Sequence, residues 1–309
     1  MRSVLAMMVL LAGCQEAPPP PREFDGAAAL RYVETQLGFG PRVPGSAGHA
    51  RMAGWLDSLL RTRTDSVIVQ RWIHVTRAGD SLPMVNLLAR FNPSATTRLL
   101  FLAHWDTRPV SDGYGSRDST VPVPGANDGG SGVAILLGMA DALNKAPPDV
   151  GVDLLFVDGE DYGSFDAGQD QDVLIGSRYF AAHLPAGPLP EFAVLFDMVG
   201  DRDLHILREG SSVTAAPDVV QMVWALAKRI GHGDIFAALD TGPITDDHIP
   251  LQQVGIRAID IIDLDYGPTN GWHHTVEDTI DKLSAASLQA VGDVGMALVR
   301  EAKRWAGSG

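Results

Sequence analysis

Leu154-Leu155-Phe156-Val157-Asp158-Gly159-Glu160-Asp161-Tyr162-Gly163 is the stretch from which the fold is read. Four apolar residues in a row have the pattern of a buried strand, and a glycine turn ends it before two adjacent carboxylates. An open α/β sheet presents its chemistry at such a place, beyond the carboxyl ends of its strands. Neighbouring side chains leaving a strand end point in different directions, so Glu160 and Asp161 can divide the work: one carboxylate grips a cation while the other moves a proton. Two acids in a turn are more often solvated and idle, so the reading depends on what else reaches that point.

Two more apolar runs end in the same way. Arg98 to Ala103 is continuous enough for a strand buried on both faces and delivers His104-Trp105-Asp106-Thr107. His104 and Asp106, at i and i+2, fall on one side of an extended segment, so the acid can orient the imidazole from behind a metal. Phe192 to Phe196 ends on Asp197. Between them, Gly125-Ala126-Asn127-Asp128-Gly129-Gly130-Ser131-Gly132 leads into a helix expected from Val133 to Leu143. Its glycines match neither the dinucleotide fingerprint nor the phosphate loop. They let Asp128 approach a shared centre at a helix N-terminus, where a carboxylate is favoured. Ser131 does not read as a nucleophile, because Val133 stands where the last glycine of G-x-S-x-G belongs.

The rest of the chain frames these motifs. Upstream, Asp25 and Ser46 cap helices running to Leu37 and about Arg61, and strands are expected over Ser66 to His74 and Met84 to Phe91. Downstream come a polar loop over the site from Ser164 to Asp172, a helix from Ile175, an amphipathic helix from Val219 to Ile230, and a polar loop Thr245 to Pro250. A buried strand is expected within Ile256 to Leu264, followed by the loop Gly271-Trp272-His273-His274-Thr275-Val276-Glu277-Asp278-Thr279. Apolar residues from Leu288 to Ala302 recur at helical spacing, so a last helix covers the sheet.

A chain of 309 residues that is 45% apolar can bury a large core, and no second domain boundary or repeat is visible. A net charge of −14 with no basic run argues against nucleic acid as a partner. Met1 to Gly13 has one basic residue and about ten apolar ones, too few to span a bilayer but enough for a signal segment. Leu11-Ala12-Gly13-Cys14 resembles the lipobox of bacterial lipoproteins. That resemblance implies a signal peptide over residues 1–13 and lipid on Cys14, the only cysteine. A Pro-rich tether over 14–24 would then carry a single catalytic domain over 25–309, held to the cell envelope, with Gln15 favouring the outer membrane facing the periplasm.

His104, Asp128, Asp161, Asp197 and His274 form a nitrogen and oxygen donor set without sulfur, suited to zinc or a similar divalent ion, with Glu160 beside it as general base. The ordered series Ala103-His104-Trp105-Asp106, Gly125-Ala126-Asn127-Asp128, Asp158-Gly159-Glu160-Asp161, Phe196-Asp197-Met198 and His274 to Thr279 resembles the M28 zinc peptidase superfamily. Within it, Trp105 with Arg108-Pro109, Asp161-Tyr162, Gly176-Ser177-Arg178-Tyr179 and Asp246 to Pro250 look like the glutaminyl-peptide cyclotransferase branch. The resemblance implies a three-layer α/β/α sandwich on a mixed, mostly parallel sheet.

It further implies one zinc on Asp128, Asp161 and His274 for a cyclotransferase acting on peptides or proteins with a free N-terminus. A second ion on His104 and Asp197, with Asp128 bridging, is implied for an aminopeptidase. In the cyclase reading Glu160 shuttles the proton, Asp197 and Asp246 hold the proton network, and Trp105, Trp272 and His273 lie at the substrate. Two positions depart from the branch pattern: His273 occupies a position usually held by Trp, and Asp260 one where a histidine is common.

Overall fold

The computed structural model describes residues 22–114, 116, 119–165 and 172–305. Cys14 and the tether up to residue 21 lie outside the described residues, as do residues 166–171 of the loop expected over the site. Two helices open the fold: α1 (Gly26–Leu37), with Asp25 accepting from the Ala28 amide, and α2 (Ala47–Arg61), with Ser46 accepting from the His49 amide. A hairpin follows, β1 (Ser66–Val75) and β2 (Ser81–Phe91), then β3 (Arg98–His104), α3 (Ser131–Lys145), β4 (Gly151–Val157), α4 (Ile175–Ala182) and β5 (Ala193–Asp197). After these come β6 (Ile206–Arg208), α5 (Gly210–Ala215), α6 (Pro217–Arg229), β7 (Phe236–Asp240), α7 (His248–Gln253), β8 (Ala258–Ile262), α8 (Ala285–Arg300) and α9 (Ala302–Trp305).

Six strands form one sheet in the order β1-β2-β4-β3-β5-β8. β4, β3, β5 and β8 run parallel, and the β1–β2 and β2–β4 pairs are antiparallel. Side chains alternate between the two faces, as a pleated strand requires. Leu154 and Phe156 of β4, Phe101 of β3 and Phe196 of β5 join the core under α1, α2, α3, α6 and α8, while Leu155, Val157, Leu102 and Leu195 pack toward α4 and α7. The result is the three-layer sandwich with a mixed, mostly parallel sheet.

β2 begins earlier than the apolar pattern implies, and passes through Pro83. The proline is tolerated because β4 pairs with β2 only from Leu87 to Phe91, leaving Pro83 no ladder bond to lose on that side. The expected loop at Thr245 to Pro250 holds through Asp247, but His248 to Pro250 form the start of α7. Pro250 sits in its first turn, where no intrahelical amide bond is required of it. The small parallel pair β6–β7 has no apolar run long enough to announce it.

For function, the decisive fact is adjacency: β4, β3 and β5 are neighbours in the sheet and parallel, so their carboxyl ends open on one edge. His104 closes β3, Asp197 closes β5, and Glu160 with Asp161 follow β4 directly. Gly159, at φ +71, makes the turn that a side chain would strain, and an added Cβ there would run into Met84 and Ile175.

Candidate active site

Asp128 stands at the centre of the site. Its Oδ1 lies 3.2 Å from His104 Nε2, and that same nitrogen lies 3.2 Å from Asp197 Oδ1. Its Oδ2 lies 3.5 Å from His274 Nε2, which in turn lies 3.3 Å from Asp161 Oδ1. One carboxylate thus faces two donor groups, His104 with Asp197 on one side and His274 with Asp161 on the other. Glu160 reaches 3.7 Å from His104 Nδ1 without joining either set. Residues spread over some 170 positions of sequence therefore meet within a few ångströms of Asp128.

Backbone bonds hold this arrangement. Asp106 accepts from the amides of Glu160 (3.1 Å) and Asp161 (3.2 Å), so besides facing His104 it fixes the turn after β4. Asp278 accepts from the Asn127 and Asp128 amides and from the Tyr266 hydroxyl, tying the loop before α3 to the loop of His274. Gly129, at φ +69, lets that loop pass beside the Asp106 carbonyl and the His104 ring, where a Cβ has no room. Arg42 is fully buried and donates to the carbonyls of Trp105, Pro124 and Gly125, clamping two ligand loops together. Arg108 donates to Asp161 Oδ1 at 2.7 Å and also binds Asp112.

Behind the donor sets lies a second layer of buried acid: Asp246, Asp247, Asp260 and Glu209, with His248 among them. Ser177 donates to Asp247 through a short bond. Glu209 accepts from the Ser211, Ser212 and Ile244 amides and lies 3.3 Å from His248 Nε2. Those bonds outweigh burial and bring its carboxyl down to about 2. Its neighbours move the opposite way. Burial, reinforced by Asp197, pushes Asp246 up to about 7, and burial with Asp246 close by raises Asp247 and Asp260 well above the ordinary carboxylate range. Burial likewise raises Glu160, although His104 opposes it. Asp128 goes down instead: burial works against its charge, but the His104 hydrogen bond and the His274 charge prevail.

The sequence-derived residues divide cleanly. Glu160, Asp161, Asp128, His104, Asp197 and His274 converge, with Asp246 behind them. Trp272 and His273 sit half-buried on the loop that carries His274. Trp105 does not meet the substrate expectation and is corrected here. It is fully buried, stacks on His49 at 4.4 Å and donates its indole N–H to the Val85 carbonyl, so it is part of the core. Sequence reasoning missed Arg42, His49, Asp158, Glu209 and Tyr266. Of these only Asp158, an acid ending a buried strand, carried a signal.

The donor set fits a borderline divalent metal. Asp128 Oδ2 and Asp161 Oδ2 are buried without a hydrogen-bond partner, which is costly unless a ligand completes them. His104, Asp128 and Asp197 have ligand atoms within 4.8 Å of one another, and their two 3.2 Å separations are close to the edges of a tetrahedron with bonds of about 2.0–2.2 Å. On the other side the atoms within 4.8 Å of one another belong to Asp128, His273 and His274, with Asp161 reaching His274 at 3.3 Å. Nitrogen and carboxylate oxygen, with no thiolate, suit zinc.

An α/β/α sandwich with such a centre at the strand ends defines a metallohydrolase-like enzyme scaffold, and the chain belongs to peptidase family M28, whose sequence profile matches residues 86–299. Among its relatives, the Porphyromonas gingivalis glutaminyl cyclase structure is 37% identical, superposes with a TM-score of 0.85 and covers 89% of this chain and 98% of its own. A Zn-dependent exopeptidase from Parabacteroides distasonis is 34% identical, with a TM-score of 0.84 over 89% of this chain and 98% of its own. Aminopeptidase YwaD of Bacillus subtilis is 30% identical over 65% of this chain, and the match spans 40% of that longer protein.

Proposed function

We propose that the chain is a zinc-dependent glutaminyl-peptide cyclotransferase, converting N-terminal glutamine of peptides to pyroglutamate with release of ammonia. The observation that carries this reading is Glu160: buried, raised in proton affinity, beside both donor sets but committed to neither. Similarity to glutaminyl cyclases over most of the chain supports it, and the near-equal similarity to a Zn-dependent exopeptidase leaves the choice between the two to an assay of both activities. Asp128, Asp161 and His274 would hold the zinc, which when bound polarises the γ-amide carbonyl. Glu160 accepts a proton from the α-amine as the α-nitrogen bonds to the side-chain amide carbon. It then gives that proton to the amide nitrogen as the carbon–nitrogen bond breaks and ammonia leaves. Asp246 and Asp197 support Glu160 from behind. Both reacting atoms belong to one residue, so correct positioning supplies much of the rate.

A second reading, an aminopeptidase with two zinc ions, is favoured by the compact set of His104, Asp128 and Asp197. Purified protein given Gln-initiated peptides and Leu-p-nitroanilide separates the two. Ammonia and pyroglutamate from the first without cleavage of the second supports the cyclotransferase, and the reverse result, with two zinc ions per chain, replaces it. Membrane attachment through a lipid on Cys14 is part of the proposal. Cys14→Ala should move the protein from the membrane to the soluble fraction, and unchanged sedimentation would dismiss the anchor.

A further inference from the structure

His273 lies at the site with a role that distance alone misreads. Its Nε2 is 4.0 Å from Asp128 Oδ2, and the ligand atoms of Asp128, His273 and His274 lie within 4.8 Å of one another, which reads as a third metal ligand. The neighbouring bonds say otherwise. Asn270 Oδ1 accepts from the Tyr266 amide at 3.1 Å, which turns the Asn270 amino group toward His273 Nδ1, 3.3 Å away. An amino group only donates, so Nδ1 must accept. An imidazole that accepts at Nδ1 is neutral and carries its proton on Nε2. That nitrogen then has no lone pair for a metal.

The Nε2–H points toward the donor cluster but lies too far from Asp128 for a hydrogen bond. Consecutive side chains of an extended segment point apart. Here the left-handed backbone at His274, φ 55, brings the two rings to one side, with centroids 3.7 Å apart. The loop is pinned in that shape by Thr275 donating to the Trp272 carbonyl and by the Gly113 amide donating to the His274 carbonyl. A bound metal beside His274 thus has next to it a preset hydrogen-bond donor that is not a ligand.

We propose that His273, its tautomer set by Asn270 and Tyr266, donates its Nε2–H to the substrate oxygen that becomes negatively charged in the reaction, making it a catalytic residue beside the metal. The inference rests on the cyclotransferase reading for the identity of that oxygen, the γ-carbonyl of the N-terminal glutamine. The tautomer does not depend on that reading.

Removing such a donor costs roughly 10²–10³-fold in kcat where it is the principal stabiliser, and less beside a metal. We therefore expect His273→Phe to lower kcat about ten- to hundred-fold while zinc content and chelator-competition affinity stay unchanged. His273→Gln, which keeps an amide donor at similar reach, should recover most of the loss. Asn270→Asp should accept from Nδ1, move the proton there, match His273→Phe in rate and tighten zinc binding. Nitrogen-15 NMR of the imidazoles should find His273 protonated at Nε2 in the wild type and at Nδ1 in Asn270→Asp, a measurement that needs no turnover. An Nδ1–H wild-type tautomer, or zinc loss in His273→Phe, would overturn the donor assignment and leave His273 as a ligand. Equal kcat in His273→Phe and wild type would also overturn it. Failure of the wild type to cyclise glutamine, with the Nε2–H tautomer intact, would instead sink the cyclotransferase reading.

Discussion

Two histidine–aspartate pairs grow from the same turn and end in opposite conditions. Asp158 pairs with His49, whose Nε2 lies 2.9 Å from both carboxylate oxygens, and one of those oxygens also accepts the Val85 amide at 2.7 Å. Both residues are buried, and Trp105 lies flat on the imidazole. Three residues on, Asp161 lies 3.3 Å from His274, but its Oδ1 is shared with Arg108 and its Oδ2 is left without a partner, as is Asp128 Oδ2 beside it. The first pair is closed and the second has unmet capacity. The difference teaches that a buried His–Asp contact is not itself a sign of function; leftover donor and acceptor atoms facing one point are.

The open side should show the largest effects. Glu160→Gln keeps the shape but cannot cycle a proton, and kcat on a Gln-initiated peptide should fall about 10²–10⁴-fold with zinc retained. His274→Ala should abolish zinc binding, measured by elemental analysis and by the loss of zinc-dependent thermal stabilisation. Full zinc retention in His274→Ala would erase the distinction between the two pairs.

The closed side should fail differently. His49→Phe leaves Asp158 buried without its partner, a change that costs up to about 3–5 kcal/mol. Asp158 can relieve part of this by taking a proton, since burial, opposed by His49, already pushes it to about 6. Chemical denaturation should therefore find a large stability loss that is smaller at pH 5 than at pH 8, with zinc stoichiometry intact. Zinc loss as complete as in His274→Ala would show that His49 belongs to the site.

Protons and metal should also compete. In metal-free protein, burial raises Asp246 and Asp278 to about 7 and Asp263 to about 6, against about 3.9 for an unfolded aspartate. Folded pKa values above unfolded ones mean the fold binds these protons more tightly. Their stabilising contribution is full below about pH 4 and lost as pH rises through about 7. Zinc should reverse the trend, because it binds deprotonated ligands. The measurement is the denaturation midpoint from pH 4 to 8 with and without zinc. A metal-free midpoint that rises over that window would contradict the buried-acid account.

How much of this was legible beforehand follows from what each residue does. Strands β3, β4 and β5 could be read because full burial on both faces leaves continuous apolar runs, and the acids and histidine ending them stand out against those runs. Asp260 was legible as a departure from the branch pattern and His248 as part of the Asp246 to Pro250 motif, though not their neighbour Glu209. Arg42 was not legible, since an arginine in a Gly/Pro loop reads as solvated until the carbonyls it clamps are in place. Trp105 misled for a different reason: the resemblance to the cyclotransferase branch placed it at the substrate, but successive residues at a strand end take opposite sides. The same alternation that exposes His104 to the cluster sends Trp105 into the core.

That last point gives the smallest predicted effect. Trp105→Phe keeps the stack on His49 and removes one hydrogen bond to the Val85 carbonyl, so stability should fall by about 1–2 kcal/mol. If Trp105 serves only the closed pair, KM for a Gln-initiated peptide should stay within about twofold, because no part of the ring is exposed to substrate. A rise in KM without loss of stability would return Trp105 to the substrate. It would also mean that the closed pair and the open one are coupled through the Asp158 turn more tightly than their separate hydrogen bonds imply.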